Sequence, residues 1–113
     1  MNSSLSSYEN AQKYFSLAML DDALVCIVNA RKEDPDDNKM LELNAKICYA
    51  LKDFEKAEPL LRRCLQNNPM NAAIVTRMID VLMIKQDYKE AIRMSLTFLS
   101  RNWKNQDIQA QLV

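Results

Sequence analysis

Glycine is absent from this 113-residue chain, and so is histidine. Without glycine there is no glycine-rich loop to bring backbone N–H groups against a phosphate, which sets aside the common nucleotide cradles. Turns have to be built from Asp, Asn, Lys and Pro instead. Without histidine the commonest general base is missing, and with it the second member of most nucleophilic triads. A tetrahedral zinc site would have to take three cysteines and a carboxylate, an uncommon set. Cysteine is itself sparse: Cys26, Cys48 and Cys64 are odd in number and form no C-x-x-C pair. They read as small buried hydrophobes rather than as ligands or a disulfide framework. The expectation is a protein that is not an enzyme and holds neither cofactor nor metal.

Charge of one sign is also lacking, since Lys plus Arg and Asp plus Glu both number 15. A nucleic-acid reader normally carries a basic excess, so no nucleic-acid partner is expected. No apolar run approaches the roughly 18 residues that cross a bilayer, so no membrane insertion is expected. Met1–Ser7 has neither the basic start nor the apolar stretch of a signal peptide. A cytoplasmic location is expected, with the nucleus as the other interior compartment. Hydrophobic residues make up 49%, enough for one folded domain over 1–113.

What the chain does have is a period. Ala23, Ala57 and Ala91 stand 34 residues apart, as do Leu20, Phe54 and Tyr88, and Pro35 is answered by Pro69. The stretch from Asp53 to Pro69 is the clearest copy. Self-similarity at such a period marks a supersecondary unit that cannot bury its apolar face alone and must stack on its neighbours.

Each unit spells helix, short turn, helix. In the first, about 4–37, serines at Ser3, Ser4, Ser6 and Ser7 offer N-caps for a helix over Leu5–Ala18. Leu20-Asp21-Asp22 opens its partner, which Asp34-Pro35 stops. In the second, about 38–71, Leu41, Ala45, Cys48 and Leu51 share one face of a helix, and Asp53 caps another that carries Phe54, Ala57, Leu61 and Cys64. In the third, about 72–105, Ile74 to Met83 is apolar on most sides and Asp87 caps the partner. Trp103 stands where the other units have proline, and Gln106–Val113 reads as a partial seventh helix acting as a cap. The helix pairs should break near Lys52 and Lys85, and the units near Pro35 and Pro69.

These positions resemble the tetratricopeptide repeat. That motif wants a small residue at its eighth position, an aromatic at the seventeenth, alanine at the twentieth and proline at the thirty-second. Here the eighth is Ala11, Ala45 and Ile79, the seventeenth Leu20, Phe54 and Tyr88, the twentieth Ala23, Ala57 and Ala91, and the thirty-second Pro35, Pro69 and Trp103. The fold this implies is all-α: a right-handed superhelix of three helical hairpins plus the partial seventh helix. Ile79 and Phe98 are bulky where the family prefers small side chains, so the third hairpin should be splayed or differently packed. Asn10 and Asn44 fall where an apolar residue is usual and are expected to hydrogen-bond across the helix pair.

The function the resemblance implies is a protein-interaction module. Its concave face, lined by the first helix of each pair, would hold a peptide or helical segment of a partner. In this register the groove residues are Tyr8, Gln12, Phe15, Lys39, Leu43, Lys46, Tyr49, Arg77, Asp80 and Met83, with Glu9, Glu42, Thr76 and Ile84 beside them. Relatives that grip the acidic tail of heat-shock chaperones use Lys and Asn on the first helix, Asn on the third, and Lys and Arg on the fifth. Here those positions hold Tyr8, Gln12, Leu43, Ala73 and Arg77; only Arg77 matches, so such a tail is not the expected ligand. Two uses remain: a scaffold segment of a larger multi-repeat protein, or a free-standing chaperone resembling those of bacterial type III secretion, which shield a partner subunit. The C-terminal end, with Phe98 and Trp103 near it, is expected to be closed by further repeats or by self-association.

Overall fold

The computed structural model describes residues 3–105. Among them are six helices and no strand: α1 (Ser3–Ser16), α2 (Leu20–Glu33), α3 (Asn38–Ala50), α4 (Phe54–Asn67), α5 (Ala72–Ile84) and α6 (Tyr88–Asn105). They form three successive hairpins stacked in chain order, the expected all-α superhelix. The expected seventh helix over 106–113 lies outside the described residues. A Cα radius of gyration of 15.9 Å exceeds the roughly 13 Å of a compact chain of this length, as a short solenoid should.

The turn inside each hairpin is the same device three times. Ala18, Lys52 and Gln86, one period apart, have φ of 61°, 64° and 66°. Their N–H groups donate to the carbonyls of Phe15, Tyr49 and Met83, while the next residues, Met19, Asp53 and Asp87, donate to Tyr14, Cys48 and Leu82 at 2.9, 3.0 and 2.8 Å. This pair of bonds, one nested in the other around a left-handed residue, is the Schellman helix stop. Glycine normally occupies that position; here side-chain-bearing residues do. Asp53 then caps α4 by accepting from the Lys56 N–H at 3.4 Å, and Asp87 does the same for the Glu90 N–H.

Between hairpins the chain stops before proline and restarts on a polar cap. Asp37 accepts from the Met40 N–H at 3.0 Å and Asn71 from the Ile74 N–H at 3.3 Å. Where Trp103 replaces proline nothing forbids helical geometry, and α6 runs 18 residues against 14 for α2 and α4. Pro59 is accommodated inside α4 without ending it.

The motif alanines do what small residues are for. Ala11, Ala23, Ala45, Ala57 and Ala91 are all buried, so paired helices approach closely. Around them lie two apolar clusters, one with Ile27, Leu43 and Ile47, the other with Leu41, Leu61, Ile74, Met78 and Leu82. Cys48 and Cys64 belong to the second; burial pushes both thiols up, Cys64 to about 11, so they stay protonated at neutral pH. In the third hairpin, Ile79 and Phe98 are only half-buried and α5 and α6 pack less closely than α1 and α2.

The asparagines need a correction. Asn44 is buried at 5% exposure, but its Oδ1 accepts from Cys48 Sγ at 3.5 Å, one turn along the same helix. Asn10 is exposed. Neither reaches across the helix pair: Asn44 bonds along its own helix and Asn10 faces solvent.

Candidate functional site

Curvature makes the site. The first helices of successive hairpins touch, α1 with α3 and α3 with α5, whereas the backbones of α2, α4 and α6 do not approach one another. The stack therefore bends with α1, α3 and α5 on its inner side, and those helices carry the residues the motif register assigns to the groove.

The structure brings these residues together in two neighbouring groups. Tyr8, Gln12 and Phe15 of α1 face Lys39, Glu42, Leu43 and Lys46 of α3 around a cavity of about 380 Å³. Six of the ten expected groove residues line it, with Glu42 as the seventh wall. Gln12 Nε2 donates to the Tyr8 hydroxyl at 3.4 Å. Burial first, then the nearby Asp37 and Glu42 carboxylates, raise the Tyr8 phenol above its ordinary value, so it remains a neutral donor. Leu43 is only 8% exposed and packs into the first core cluster, giving the cavity no more than an edge.

Glu42 is already engaged. Lys46 Nζ lies 2.9 Å from its carboxylate and Asn71 Nδ2 donates to it at 3.1 Å. Burial works to raise its pKa, but the bonds from Lys46 and Asn71 and the charges of Lys46 and Arg77 outweigh that and hold the carboxyl below its ordinary range. Lys39, by contrast, forms no ion pair among the described residues.

The second group joins α3 to α5. The Tyr49 hydroxyl donates to Asp80 Oδ2 across the two helices. That bond, with burial and the negative charge beside it, pushes the phenol up. Arg77 sits over the Tyr49 ring with its guanidinium carbon 5.5 Å from the centroid, a cation–π arrangement. Its Nη1 donates to the Ala73 carbonyl at 3.1 Å, while its Nε is buried without a hydrogen-bond partner. Phe54 braces Tyr49 edge-on, with centroids 6.0 Å apart. Met83 is exposed one turn beyond Asp80. Tyr49, Arg77 and Asp80 thus form an aromatic and polar platform beside the cavity.

Two contributors escaped the sequence register. Asn71, the N-cap of α5, carried no sequence signal of its bond to Glu42. Phe54 was legible as the motif aromatic but not as the brace of Tyr49.

No family model matches the sequence, and no curated protein matches it either. Solved structures do match in fold. Two structures of MamA, from MSR-1 and AMB-1, superpose with TM-scores of 0.76 and 0.78 at 19% identity over 83% of this chain. The chain spans about half the length of those MamA chains, 54% and 51%. The first tetratricopeptide domain of Spaghetti (RPAP3), solved with the HSP90 peptide SRMEEVD, superposes with a TM-score of 0.75 at 22% identity, over 96% of this chain and 86% of that one. The fold is a tetratricopeptide-like helical repeat.

Proposed function

We propose that this chain is a protein-interaction module that holds a peptide or helical segment of a partner in the groove of α1, α3 and α5. The observation that carries it is the Tyr49–Arg77–Asp80 platform set directly beside the 380 Å³ cavity. A pocket of mixed aromatic and charged lining next to an aromatic and arginine surface is the composition of an interaction hot spot. The RPAP3 domain, with the same fold, was solved holding a peptide. Its peptide is not the ligand proposed here: Tyr8, Gln12, Leu43 and Ala73 stand where a terminal carboxylate would need Lys or Asn donors. Within this reading a scaffold segment is favoured over a shielding chaperone, because Ile92, Leu96 and Leu99 leave an apolar face on α6 on which a further helical unit, of this chain or of another copy, can stack.

Peptides selected from a displayed library against the chain should lose affinity at least tenfold on Tyr49→Ala or Arg77→Ala, for about 2 kcal/mol per hot-spot side chain. The peptide SRMEEVD should show no saturable binding by titration calorimetry. Selected peptides indifferent to both substitutions, or carboxylate-dependent binding of SRMEEVD, would remove the groove assignment or its ligand class respectively.

A further inference from the structure

We propose that the molecule self-associates head to tail, the outer face of α6 in one copy seating on the α1–α2 hairpin of the next and continuing the 34-residue register. On α6 the residues Ile92, Leu96 and Leu99 form one stripe at four- and three-residue spacing and are 59%, 62% and 59% exposed. What covers such a stripe can be read from the joins inside the molecule.

Successive hairpins meet through pairs at a nearly constant separation. Lys85 Nζ donates to Glu58 at 2.5 Å, 27 residues away, and Arg62 to Glu90, 28 residues away. Leu65 and Arg93, also 28 apart, wall the same small cavity between α4 and α6. Advanced by one period, Glu58 becomes Ile92, and its partner falls where a following copy in continuous register places Leu17. Leu65 becomes Leu99, and its partner becomes Val25. Leu17 is 59% exposed and Val25 62%. Two apolar side chains left open on one end thus fall opposite two left open on the other, at positions the molecule already uses to join its own hairpins. The third pair does not match: Leu96 replaces Arg62 and falls opposite Asp22 in place of Glu90. Such a join is held by apolar contact without the ion pair.

The contact is heterologous, each copy keeping one open end, so assembly should proceed through a concentration-dependent series rather than stop at a dimer. Sedimentation of the full chain over a concentration series tests this, with circular dichroism to show that each variant is folded. The weight-average mass should climb with concentration. Ile92→Glu with Leu99→Glu should give a monomer, and so should Leu17→Glu with Val25→Glu, because each blocks one end. An equal mixture of the two should give a dimer and nothing larger, through the one intact pair of ends. A monomer at every concentration overturns the proposal. So does association abolished by the α6 substitutions but untouched by those at Leu17 and Val25, which would mean two α6 faces pair with each other. Tyr49→Ala should leave the mass series unchanged, so failure here leaves the groove reading standing.

Discussion

Between the first and second hairpins, Leu24 and Leu51 both pack against the cluster of Ile27 and Ile47. Between the second and third, the same two register positions hold Glu58 and Lys85, which meet as an ion pair. Around that pair the rim of the second join is polar, outside the apolar cluster the two hairpins share: Lys85 also reaches Glu55 at 3.2 Å, and Arg62 spans from Glu58 at 2.8 Å to Glu90 at 3.0 Å. Arg62 bridges α4 and α6, whose backbones do not approach, so a long side chain fills the gap that curvature opens on the outer side. One backbone register accepts either chemistry, because the stack is specified by helix geometry and small residues at the crossing points. The side chains at the rim then decide how each join responds to its surroundings.

The largest expected effect comes from cutting the apolar join. Leu24 packs against both core clusters, and Leu24→Ala removes that bridge. With Leu24 half-buried, the loss should be about 2 kcal/mol, the lower end of the range for such truncations. Urea unfolding should show it at any ionic strength, since no charge is involved. A loss that shrinks with salt would mean that the first join is not the apolar one.

The polar join should respond in the opposite manner. Arg62→Ala deletes its bonds to Glu58 and Glu90; with the side chain 40% exposed, about 1 kcal/mol at low salt is expected, and less at high salt. Acid should act on the same place. Glu58 is held below its ordinary pKa by bonds from Lys85 and Arg62, and Glu90 by Arg62. A carboxyl depressed in the folded state contributes stability that is complete above its unfolded value. That stability is lost as the pH falls through the lower, folded one. Below the ordinary carboxylate value of 4.5, amides of α6 should therefore lose hydrogen-exchange protection before those of α2. Equal loss in both helices would erase the distinction between the joins.

How much of this was legible follows from where each feature lives. The hairpins, their breaks and the buried alanines are local or periodic properties, and the 34-residue spacing of Ala23, Ala57 and Ala91 was enough to place them. Placement on the first helix of each pair was legible for the same reason, since register puts Tyr8, Lys39 and Arg77 on α1, α3 and α5. Pairings between helices were not. Tyr49 with Asp80 depends on the angle at which α3 meets α5, and Glu42 with Asn71 on how a cap residue leans after the turn. Asn44 departs from the expectation because its amide is satisfied one turn along α3 by Cys48, a local pairing that the period does not carry. The extra turn of α6 goes with Trp103 in the place of proline, a missing stop rather than a positive signal.

The smallest expected effect belongs to the feature that does not differ between hairpins. Ala18, Lys52 and Gln86 occupy the left-handed position of three geometrically matched turns. A residue with a Cβ costs roughly 1–2 kcal/mol there. Glycine relieves that cost, but its looser unfolded chain returns about 0.4–1 kcal/mol. Lys52→Gly should therefore stabilise by about 0.5 kcal/mol, and Ala18→Gly and Gln86→Gly by a similar amount. Lys52 is exposed and forms no ion pair among the described residues, so nothing else changes with its side chain. Because the turns belong to the backbone and the joins to the side chains, the three gains should be alike and unaffected by salt, unlike the losses at the joins. A gain at one turn and a loss at another would mean that the turns are as individual as the joins, and that the uniform backbone register is not what holds the stack in phase.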